Sequence, residues 1–581
     1  MRDYDLVIIG AGPGGYETAL EAAGTYGMKT ALIEKEALGG TCLNHGCIPT
    51  KTLLHSADLY RQMKECERFG LHVEGVSFDL GKIQDRKSEV LDTLRSGIAM
   101  LMKQKKVDVI EGTGKILDSH TVEITRKIVD SHKTKEIGKN VDSHDAKEIG
   151  KNVDSHKTKE IGKNVDSHNA KESGKNVDPY NAETTENNCE SITLSTEHII
   201  IATGSVASMP PIPGADLPGV VTSDELLEKR DLPEHLLVIG GGVIGMEFAS
   251  VYSAFGTKVT VLEALPKIIA NMDKELSQSL KMLMKKRGVT ICTGARVEEI
   301  RRGSAAANNE TSVEEKHKAS AGEDCERSVE ENCKVFEGDN CKGSVEENCK
   351  IFEGDNCKSS AEEDGKTSSE KVLLECVYTE KDKPHTIQAD CILICTGRRP
   401  NTTGLFGADI TIDTERGRIL TDANGQTNVP NIYAIGDATG GIMLAHAATA
   451  MGRNALAHMN NVPAPVRADI IPACIYTDPE IASVGLTTEQ AGSLGIDADS
   501  RKVVMSANGK TVLSAQERGF IKVVFEKETH KILGAQMMCA RASDMISEFA
   551  EAIVHGLTTE QMFSVVRPHP TFCEAITDAC R

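Results

Sequence analysis

The sequence contains no tryptophan, and none of its apolar runs approaches 18 residues. Because about 20 consecutive apolar residues are needed to cross a bilayer, we expect no membrane-spanning helix. Aromatic residues make up 4% of the chain and hydrophobic residues 39%. This apolar content is low, yet it is sufficient for a sizeable core. A chain of 581 residues is too long for one core, so several domains are expected.

The chain also lacks basic charge, since 86 acidic residues outnumber 66 Lys and Arg and the net charge is -20. Phosphate groups require a basic surface, which argues against nucleic acid and membrane partners. No basic segment precedes an apolar stretch at the N-terminus, so no secretory signal is expected. The odd count of 17 cysteines does not indicate a structural disulfide framework. We therefore expect a cytoplasmic protein in which a disulfide would be catalytic.

Two segments of the chain follow the same plan. In each, a strand-like run ends in a GxGxxG motif, a second run ends in a glutamate, and a late apolar run ends in Thr-Gly. A single motif of this kind is weak, because ordinary glycine turns also precede helices, but two matched copies predict two dinucleotide-binding units. The glycines permit a tight turn, approach of a pyrophosphate and helix packing, while the helix start attracts phosphate. The motif residues are Gly10, Gly12, Gly15 and Glu34 in the first copy and Gly240, Gly242, Gly245 and Glu263 in the second.

Each copy contains a polar repeat. Residues of about 129–178 repeat a 12-residue unit such as VDSHKTKEIGKN, and residues of about 304–371 include a 16-residue repeat, SVEENCKVFEGDNCKG. Both repeats lie between strand-like stretches, which predicts that each extends a hairpin tip. Such polar segments bury too little apolar surface to offset the entropy of ordering.

A metal site in the repeats is the alternative. Histidines recur every 12 residues and cysteines every eight, but evenly spaced single ligands lack the CxxC pairing of ordinary zinc sites, so no metal is predicted. The residues concerned are His132, His144, His156 and His168, and Cys325, Cys333, Cys341, Cys349 and Cys357.

The segment GGTCLNHGCIPTK places Cys42 and Cys47 five residues apart, soon after the strand that ends at Glu34. Its position beside a nucleotide-binding unit favours a redox pair. The spacing alone also fits two structural thiols or, less well, metal ligands. The thiolate is the reactive form, and Lys51 is close enough in sequence to stabilise it.

The C-terminal part of the chain is predicted to be globular. Residues 468–490 and 519–538 alternate as strands do, and residues 544–556 have the apolar spacing of a helix that stops at Gly556.

The later segment HPTFCE contains His569 and Glu574. A histidine titrates near neutral pH and exchanges protons with thiols, and a carboxylate on its other nitrogen fixes the tautomer. Lone late histidines are usually structural, but this spacing favours an acid–base dyad.

Together these segments closely resemble the dihydrolipoamide dehydrogenases of the pyridine nucleotide-disulfide oxidoreductase family, class I. The resemblance covers nearly the whole chain except the two repeats and includes, in the family's order, YAIGDATGGIMLAHAA, IPACIYTDPEIASVGLT and HPTFCEA. It implies an α/β fold with two Rossmann-like dinucleotide-binding domains of the three-layer ββα type and a C-terminal α+β dimerisation domain. The implied boundaries are residues 1–206 for FAD, 207–395 for NAD, 396–464 for a central domain that completes the FAD site, and 465–581 for dimerisation.

The resemblance also implies residue roles. Cys42 would be the thiol that exchanges with substrate, and Cys47 the charge-transfer thiol that lies against the flavin. The His569–Glu574 dyad would face the disulfide of the other subunit, which requires a homodimer. Lys51 would pair with Glu247 near the flavin. The implied cofactor-binding residues are Gly10, Gly12, Gly15, Glu34, Lys51, Gly114, Thr203, Gly204, Gly240, Gly242, Gly245, Glu247, Glu263, Gly397, Gly436, Asp437 and Ala445.

The implied reaction is FAD-dependent oxidation of protein-bound dihydrolipoamide with reduction of NAD+. The partner would be a lipoyl-bearing protein of a 2-oxoacid dehydrogenase, acetoin dehydrogenase or glycine cleavage system. The sequence departs from the family at Arg567, where a second histidine is usual, and at Met451, where an acid is expected after the LAHAA segment. Neither change removes an expected catalytic group.

Other disulfide reductases fit less well. A mercuric reductase would need vicinal C-terminal cysteines, but Cys573 and Cys580 are seven residues apart. A high-molecular-weight thioredoxin reductase would need a redox tail, and a glutathione reductase would need basic residues where Ala264 and Leu265 stand. A flavoprotein scaffold that binds partners through its repeats is the alternative outside enzymology, against which the intact cysteine pair and dyad argue.

Overall fold

The structure, a computed structural model, describes residues 2–127, 189–303, 373–516 and 519–581. Over these ranges the chain has the predicted α/β fold: two units built on parallel sheets, followed by a unit built on an antiparallel sheet. None of the helices in these ranges combines the length and the apolar character that crossing a bilayer requires.

The first unit contains a parallel sheet with strand order β3-β2-β1-β6. The N-terminal half of β6 leaves this sheet and pairs antiparallel with β5, which pairs with β4. Sheet, antiparallel layer and helices form three layers. The elements are β1 (Tyr4–Ile9), α1 (Pro13–Gly24), β2 (Thr30–Glu34), α2 (Gly40–Asn44), α3 (Cys47–Lys64), α4 (Leu80–Lys105), β3 (Asp108–Glu111), β4 (Thr113–Asp118), β5 (Thr121–Lys127), β6 (Cys189–Ile201) and β7 (Ser205–Ala207).

The second unit repeats this plan, with parallel order β11-β10-β9-β15-β8 and an antiparallel layer β12-β13-β14. Its elements are β8 (Val220–Val221), α5 (Ser223–Glu228), β9 (His235–Ile239), α6 (Val243–Ala254), β10 (Lys258–Glu263), α7 (Lys274–Lys286), β11 (Thr290–Thr293), β12 (Ala295–Arg302), β13 (Leu374–Glu380), β14 (Lys383–Ala389), β15 (Cys391–Ile394) and β16 (Arg398–Pro400).

The chain then returns to the first unit, because β19 pairs in parallel with β6, before it forms the antiparallel sheet β20-β21-β24-β23-β22 of the C-terminal unit. These elements are β17 (Thr414–Glu415), β18 (Arg418–Ile419), β19 (Ile432–Ala434), α8 (Ala445–Met459), β20 (Ala473–Ile475), β21 (Glu480–Gly485), α9 (Thr488–Ser493), β22 (Ala498–Val504), α10 (Gly509–Leu513), β23 (Phe520–Glu526), β24 (Ile532–Cys539), α11 (Ala542–His555), α12 (Thr559–Phe563) and α13 (Glu574–Cys580). Met451 lies inside α8 and packs against the core of the first unit.

The central strands show why the sequence forms these layers. In β1, Leu6 and Ile8 pack against the helices, while Val7 and Ile9 pack against the antiparallel layer. A strand buried on both faces must be apolar throughout rather than alternating. The apolar run before each glycine motif therefore marks the middle of a sheet, and it places the motif at the carboxyl edge of that sheet.

The two repeats, including the histidines and cysteines considered as metal ligands, lie outside the described residues. Their flanking strands are paired, however: Lys127 is opposite Cys189 across β5 and β6, and Arg302 is opposite Leu374 across β12 and β13. This confirms that each repeat connects two neighbouring antiparallel strands.

We expect both repeats to be dispensable for folding. Replacement of residues 129–178 and 304–371 by short glycine-containing turns should leave the far-ultraviolet circular dichroism and the melting midpoint close to those of the parent chain. The reason is that paired strand ends close short turns readily, and loop entropy grows only logarithmically with loop length. Loss of cooperative melting in the double deletion would contradict this expectation.

An ionic cluster ties α3 to the two later units. Arg61 of α3 donates to Asp478 at 2.8 Å, and Arg287, directly after α7, lies 3.4 Å from the same carboxylate. Asp58, one helical turn before Arg61, lies 3.4 Å from the Arg61 guanidinium. Burial, followed by the charge of Asp478, raises the pKa of Asp58 to about 7.

This raised pKa gives a stability prediction with a definite sign. The folded chain binds the Asp58 proton more tightly than the unfolded chain does, so the associated stability is lost as the pH rises through about 7. Asp58→Asn, which cannot ionise, should melt about 2 °C higher than the parent chain at pH 8 and at a similar temperature at pH 5. Differential scanning calorimetry at both pH values measures this. Asp92→Asn, at an exposed carboxylate of α4, serves as the control. A gain that is equal at both pH values would contradict the assignment.

Candidate active site

A cavity of about 1870 Å³ runs between the first and second units. It joins the first glycine motif, the cysteine pair and the second glycine motif in one continuous space. Most of the residues that the sequence predicts for the site line it: Gly10, Gly12, Glu34, Cys42, Cys47, Lys51, Gly114, Thr203, Gly204, Gly240, Gly242, Glu247, Glu263, Gly397, Gly436, Asp437 and Ala445.

The first and third glycines of each motif have structural roles. Gly10 and Gly240 have φ values of +104° and +116°, a conformation that side chains disfavour, and each turns the chain from strand to helix. A side chain on Gly15 would begin 1.9 Å from the carbonyl oxygen of Gly10, and one on Gly245 would begin 2.0 Å from that of Gly240. These third glycines therefore let helix and strand pack closely, and they do not line the cavity.

The second glycine of each motif faces open space. A Cβ atom at Gly12 would meet no neighbour closer than 4.0 Å, and one at Gly242 would meet nothing within 4 Å. Both residues cap the N-termini of their helices, α1 and α6, without a side-chain hydrogen bond. The first-turn N–H groups thus remain available at the cavity wall, where an anion would bind. The residues present fit a dinucleotide phosphate in both units.

The two strand-end glutamates are held in the same way. Glu34 accepts hydrogen bonds from the N–H groups of Ala11 at 2.7 Å and Glu36 at 2.9 Å. In the second unit, Glu263 accepts from Gly241 at 2.6 Å and from Leu265 at 2.7 Å. Each carboxylate is therefore fixed against its own glycine turn at the cavity wall, where it could accept a hydrogen bond from a ribose hydroxyl.

The cysteine pair bridges two short pieces of chain. Cys42 lies in α2, and Cys47 is the first residue of α3, where the helix dipole favours a thiolate. Both are free thiols that are hydrogen-bonded to each other. This bond, with help from the Lys51 ammonium, lowers the pKa of Cys47 to about 7. The same bond and burial raise the pKa of Cys42, so Cys42 keeps the shared proton.

The predicted contact between Lys51 and Glu247 is present. Nζ of Lys51 lies 2.8 Å and 3.1 Å from the two carboxylate oxygens of Glu247, which is 2% exposed. The N–H of Tyr476, directly after β20, donates to the same carboxylate at 3.0 Å. Tyr476 is a site residue that sequence reasoning missed, because its backbone contact leaves no sequence signal.

A second contact between units lies beside Asp437. The Ser205 hydroxyl donates to Asp437 at 2.5 Å, while Arg398 donates to the hydroxyl and to the carbonyl of Ser205, each at 2.8 Å. Sequence reasoning missed Ser205 and Arg398. Both follow the Thr-Gly ends of the late strands, and that shared position was the available signal.

The dyad lies apart from this cavity. Nδ1 of His569 lies 2.8 Å from Glu574, whose other oxygen accepts from the N–H of Thr571 at 2.9 Å. The Thr571 bond, followed by the His569 bond, lowers the pKa of Glu574. The His569 side chain is 78% exposed, and neither dyad residue lines the cavity. Within one chain, the structure therefore brings Cys42 and Cys47 together but does not bring the dyad to them.

Arg567, the departure from the family pattern, has a structural role. Its side chain is 4% exposed and donates to Glu548 at 2.7 Å and to Thr577 at 2.9 Å. It therefore anchors the segment that carries the dyad.

Comparison with known proteins identifies the family. Residues 4–141, 125–322 and 352–452 match the profile of the pyridine nucleotide-disulphide oxidoreductases, and residues 471–580 match the dimerisation domain of the same family. The chain belongs to this family. Both the fold and the family predicted from the sequence are thereby confirmed.

Individual relatives agree with this assignment. The chain is 34% identical to the dihydrolipoyl dehydrogenase of Bacillus subtilis, over 99% of this chain and 97% of the relative. It is 31% identical to that of Mycoplasma pneumoniae, over 100% and 98% of the two chains. The solved structure of the flavoprotein disulfide reductase RclA from Escherichia coli shares the fold, with a TM-score of 0.69 and 24% identity over 99% of both chains.

The open position at Gly242 allows binding to be separated from folding. Gly242→Val should fold, because the backbone there is extended and nothing lies within 4 Å, at a cost of about 1 kcal/mol for an apolar helix cap. The new side chain would occupy the approach of a nucleotide, so the KM for the nicotinamide nucleotide should rise about tenfold or more. Gly245→Val is the matched control and should not fold. An unchanged KM in Gly242→Val would contradict this reading.

Proposed function

We propose that the chain is a dihydrolipoyl dehydrogenase, which oxidises protein-bound dihydrolipoamide to lipoamide and reduces NAD+ to NADH. The main observation behind the proposal is that the Cys42–Cys47 pair and both glycine motifs line one cavity. This order of sites suits a path for two electrons from a dithiol, through the cysteine pair, to a pair of nucleotide cofactors. The full-length relatives named dihydrolipoyl dehydrogenase support the same assignment.

FAD is assigned to the first unit and NAD to the second. FAD supplies the two-electron acceptor between the thiols and the nicotinamide. Gly10, Gly12 and Glu34 would hold its ADP half. Asp437 would hold its ribitol. Residues 396–464 would complete this site, within the boundaries 1–206, 207–395, 396–464 and 465–581 expected from the sequence.

NAD rather than NADP is favoured in the second unit. Glu263 is fixed by two backbone N–H groups and followed by Ala264 and Leu265, so no basic side chain is supplied by these positions. A carboxylate there accepts a hydrogen bond from a ribose 2′-hydroxyl and repels a 2′-phosphate.

The proposed roles of the chain's own residues follow from their protonation. In the oxidised pair, a substrate thiolate attacks Sγ of Cys42 and breaks the Cys42–Cys47 disulfide, so that Cys47 leaves as a thiolate beside Lys51. The second substrate thiolate then attacks the substrate sulfur bound to Cys42, which closes the lipoamide disulfide and releases Cys42 to take up a proton. His569, with Nδ1 turned to Glu574, has Nε2 available to take the substrate thiol proton. Because the dyad does not line the cavity of its own chain, we assign it to the cavity of a second copy in a C2 homodimer. A lipoyl-bearing protein is the proposed partner and the cytoplasm the proposed location.

Steady-state assays test this function. Lipoamide with NADH should be turned over far better than glutathione disulfide or thioredoxin, and NADH far better than NADPH. A preference for glutathione disulfide would replace the proposal with a glutathione-type reductase. A colourless protein without flavin would instead favour a scaffold.

Subunit complementation tests the shared site. Cys42→Ser and His569→Ala chains should each be inactive, but a mixed dimer contains one site with both Cys42 and His569 intact. Verified heterodimers should therefore recover up to about half of the parent activity per dimer. Homodimers of each variant, prepared in the same way, are the controls. Inactive heterodimers would contradict the assignment of the dyad to the partner copy.

A further inference from the structure

One residue contacts both members of the Lys51–Glu247 ion pair. The Tyr476 N–H donates to Glu247 at 3.0 Å, and the Tyr476 ring centroid lies 4.6 Å from Nζ of Lys51. Lys51 belongs to α3 and Glu247 to α6, whereas Tyr476 comes from the C-terminal unit. The ion pair between α3 and α6 is therefore also contacted by a residue of the C-terminal unit.

The ring contact is a cation–π interaction. Such contacts occur within about 6 Å of the ring centroid and strengthen when water is excluded, and the Lys51 side chain is only 28% exposed. The backbone contact to Glu247 survives any substitution of Tyr476 except proline. The ring contact requires an aromatic residue, so substitution separates the two contributions.

The position of the ammonium matters to Cys47. The groups that shift the pKa of Cys47 are Cys42, Lys51 and Glu247, and the Cys47 charge in turn raises the pKa of Tyr476. Lys51 stabilises the thiolate and Glu247 opposes it. The pKa of Cys47 therefore depends on the position of Nζ of Lys51 relative to the Glu247 carboxylate and the Cys47 sulfur.

The phenol itself stays neutral. Partial burial, followed by the charges of Cys474 and Glu480, raises the pKa of Tyr476 to about 12. Over the range in which Cys47 titrates, the ring therefore offers Lys51 an uncharged face.

We propose that Tyr476 is a positioning residue that holds the Lys51 ammonium between Glu247 and Cys47 and thereby maintains the Cys47 thiolate. The proposal rests on the proposed function insofar as that chemistry uses the thiolate.

The test uses the flavin-loaded full chain with Cys42→Ser, so that Cys47 is the remaining thiol of the pair. Because Cys42→Ser removes the thiol that chiefly lowers the pKa of Cys47, the midpoint in this background is expected above that of the parent chain. Alkylation of Cys47 by iodoacetamide is therefore followed between about pH 6 and pH 10.5 by peptide mass spectrometry, which separates Cys47 from the other cysteines. Tyr476→Leu in this background should move the midpoint of the rate upward by about 0.5 pH unit, as expected for a weak cation–π contact. Tyr476→Phe should leave the midpoint unchanged.

Tyr476→Met provides a second chain without the ring, in case Tyr476→Leu folds poorly. Equal midpoints in the folded ring-free and parent chains would overturn the proposal. An equal shift in Tyr476→Phe would also overturn it, because the hydroxyl would then be responsible. A purely structural role would lower the melting temperature without moving the midpoint. Labelling requires no lipoamide, so failure here is distinct from failure of the proposed substrate.

Discussion

The buried ion pair between Lys51 and Glu247 is the contact on which the arrangement of the cavity depends. It joins the helix that begins at Cys47 to the helix behind the second glycine motif, across 196 residues of sequence. Glu247 is 2% exposed, and loss of one member of a buried pair typically costs about 3–5 kcal/mol. The charge that supports the thiolate thus also docks the two nucleotide-binding units, so the electrostatics of the cysteines and the shape of the cavity cannot vary independently.

Features with a local sequence signal were predicted well. Each glycine motif is recognisable within six residues, because strand, turn and helix must follow in order for the backbone to take that path. The predicted helix over residues 544–556 forms as Ala542–His555, with Gly556 at a φ of +63° directly after it. The His569–Glu574 contact joins residues five positions apart and was equally accessible to sequence reasoning.

Contacts between distant segments were not accessible in this way. Arg398 and Ser205 are 193 residues apart, Tyr476 and Glu247 are 229 apart, and Arg61 and Asp478 are 417 apart. A sequence pattern reports the period and the termini of one element, but not which elements meet. The Lys51–Glu247 pair was predicted only through the family resemblance. Tyr476 escaped notice because a backbone N–H is common to nearly all residues, and the ring acts only once a third unit brings it to Lys51.

Because the dyad lies apart from the cavity, the proposed electron transfer and the proposed proton transfer depend on different parts of the chain. The proposed electron path lies in a cavity whose walls are fixed by buried contacts between units. The proposed proton-transfer group, His569, lies on an exposed segment, where Arg567 anchors the chain and Thr571 holds Glu574, so its orientation is determined within one chain. Exposure leaves His569 in a high-dielectric environment, where a charged hydrogen bond is weak. In the proposed homodimer, the surface of the second copy would cover His569 and exclude water from the His569–Glu574 hydrogen bond. The second copy would then strengthen the His569–Glu574 interaction as well as deliver it to the thiols.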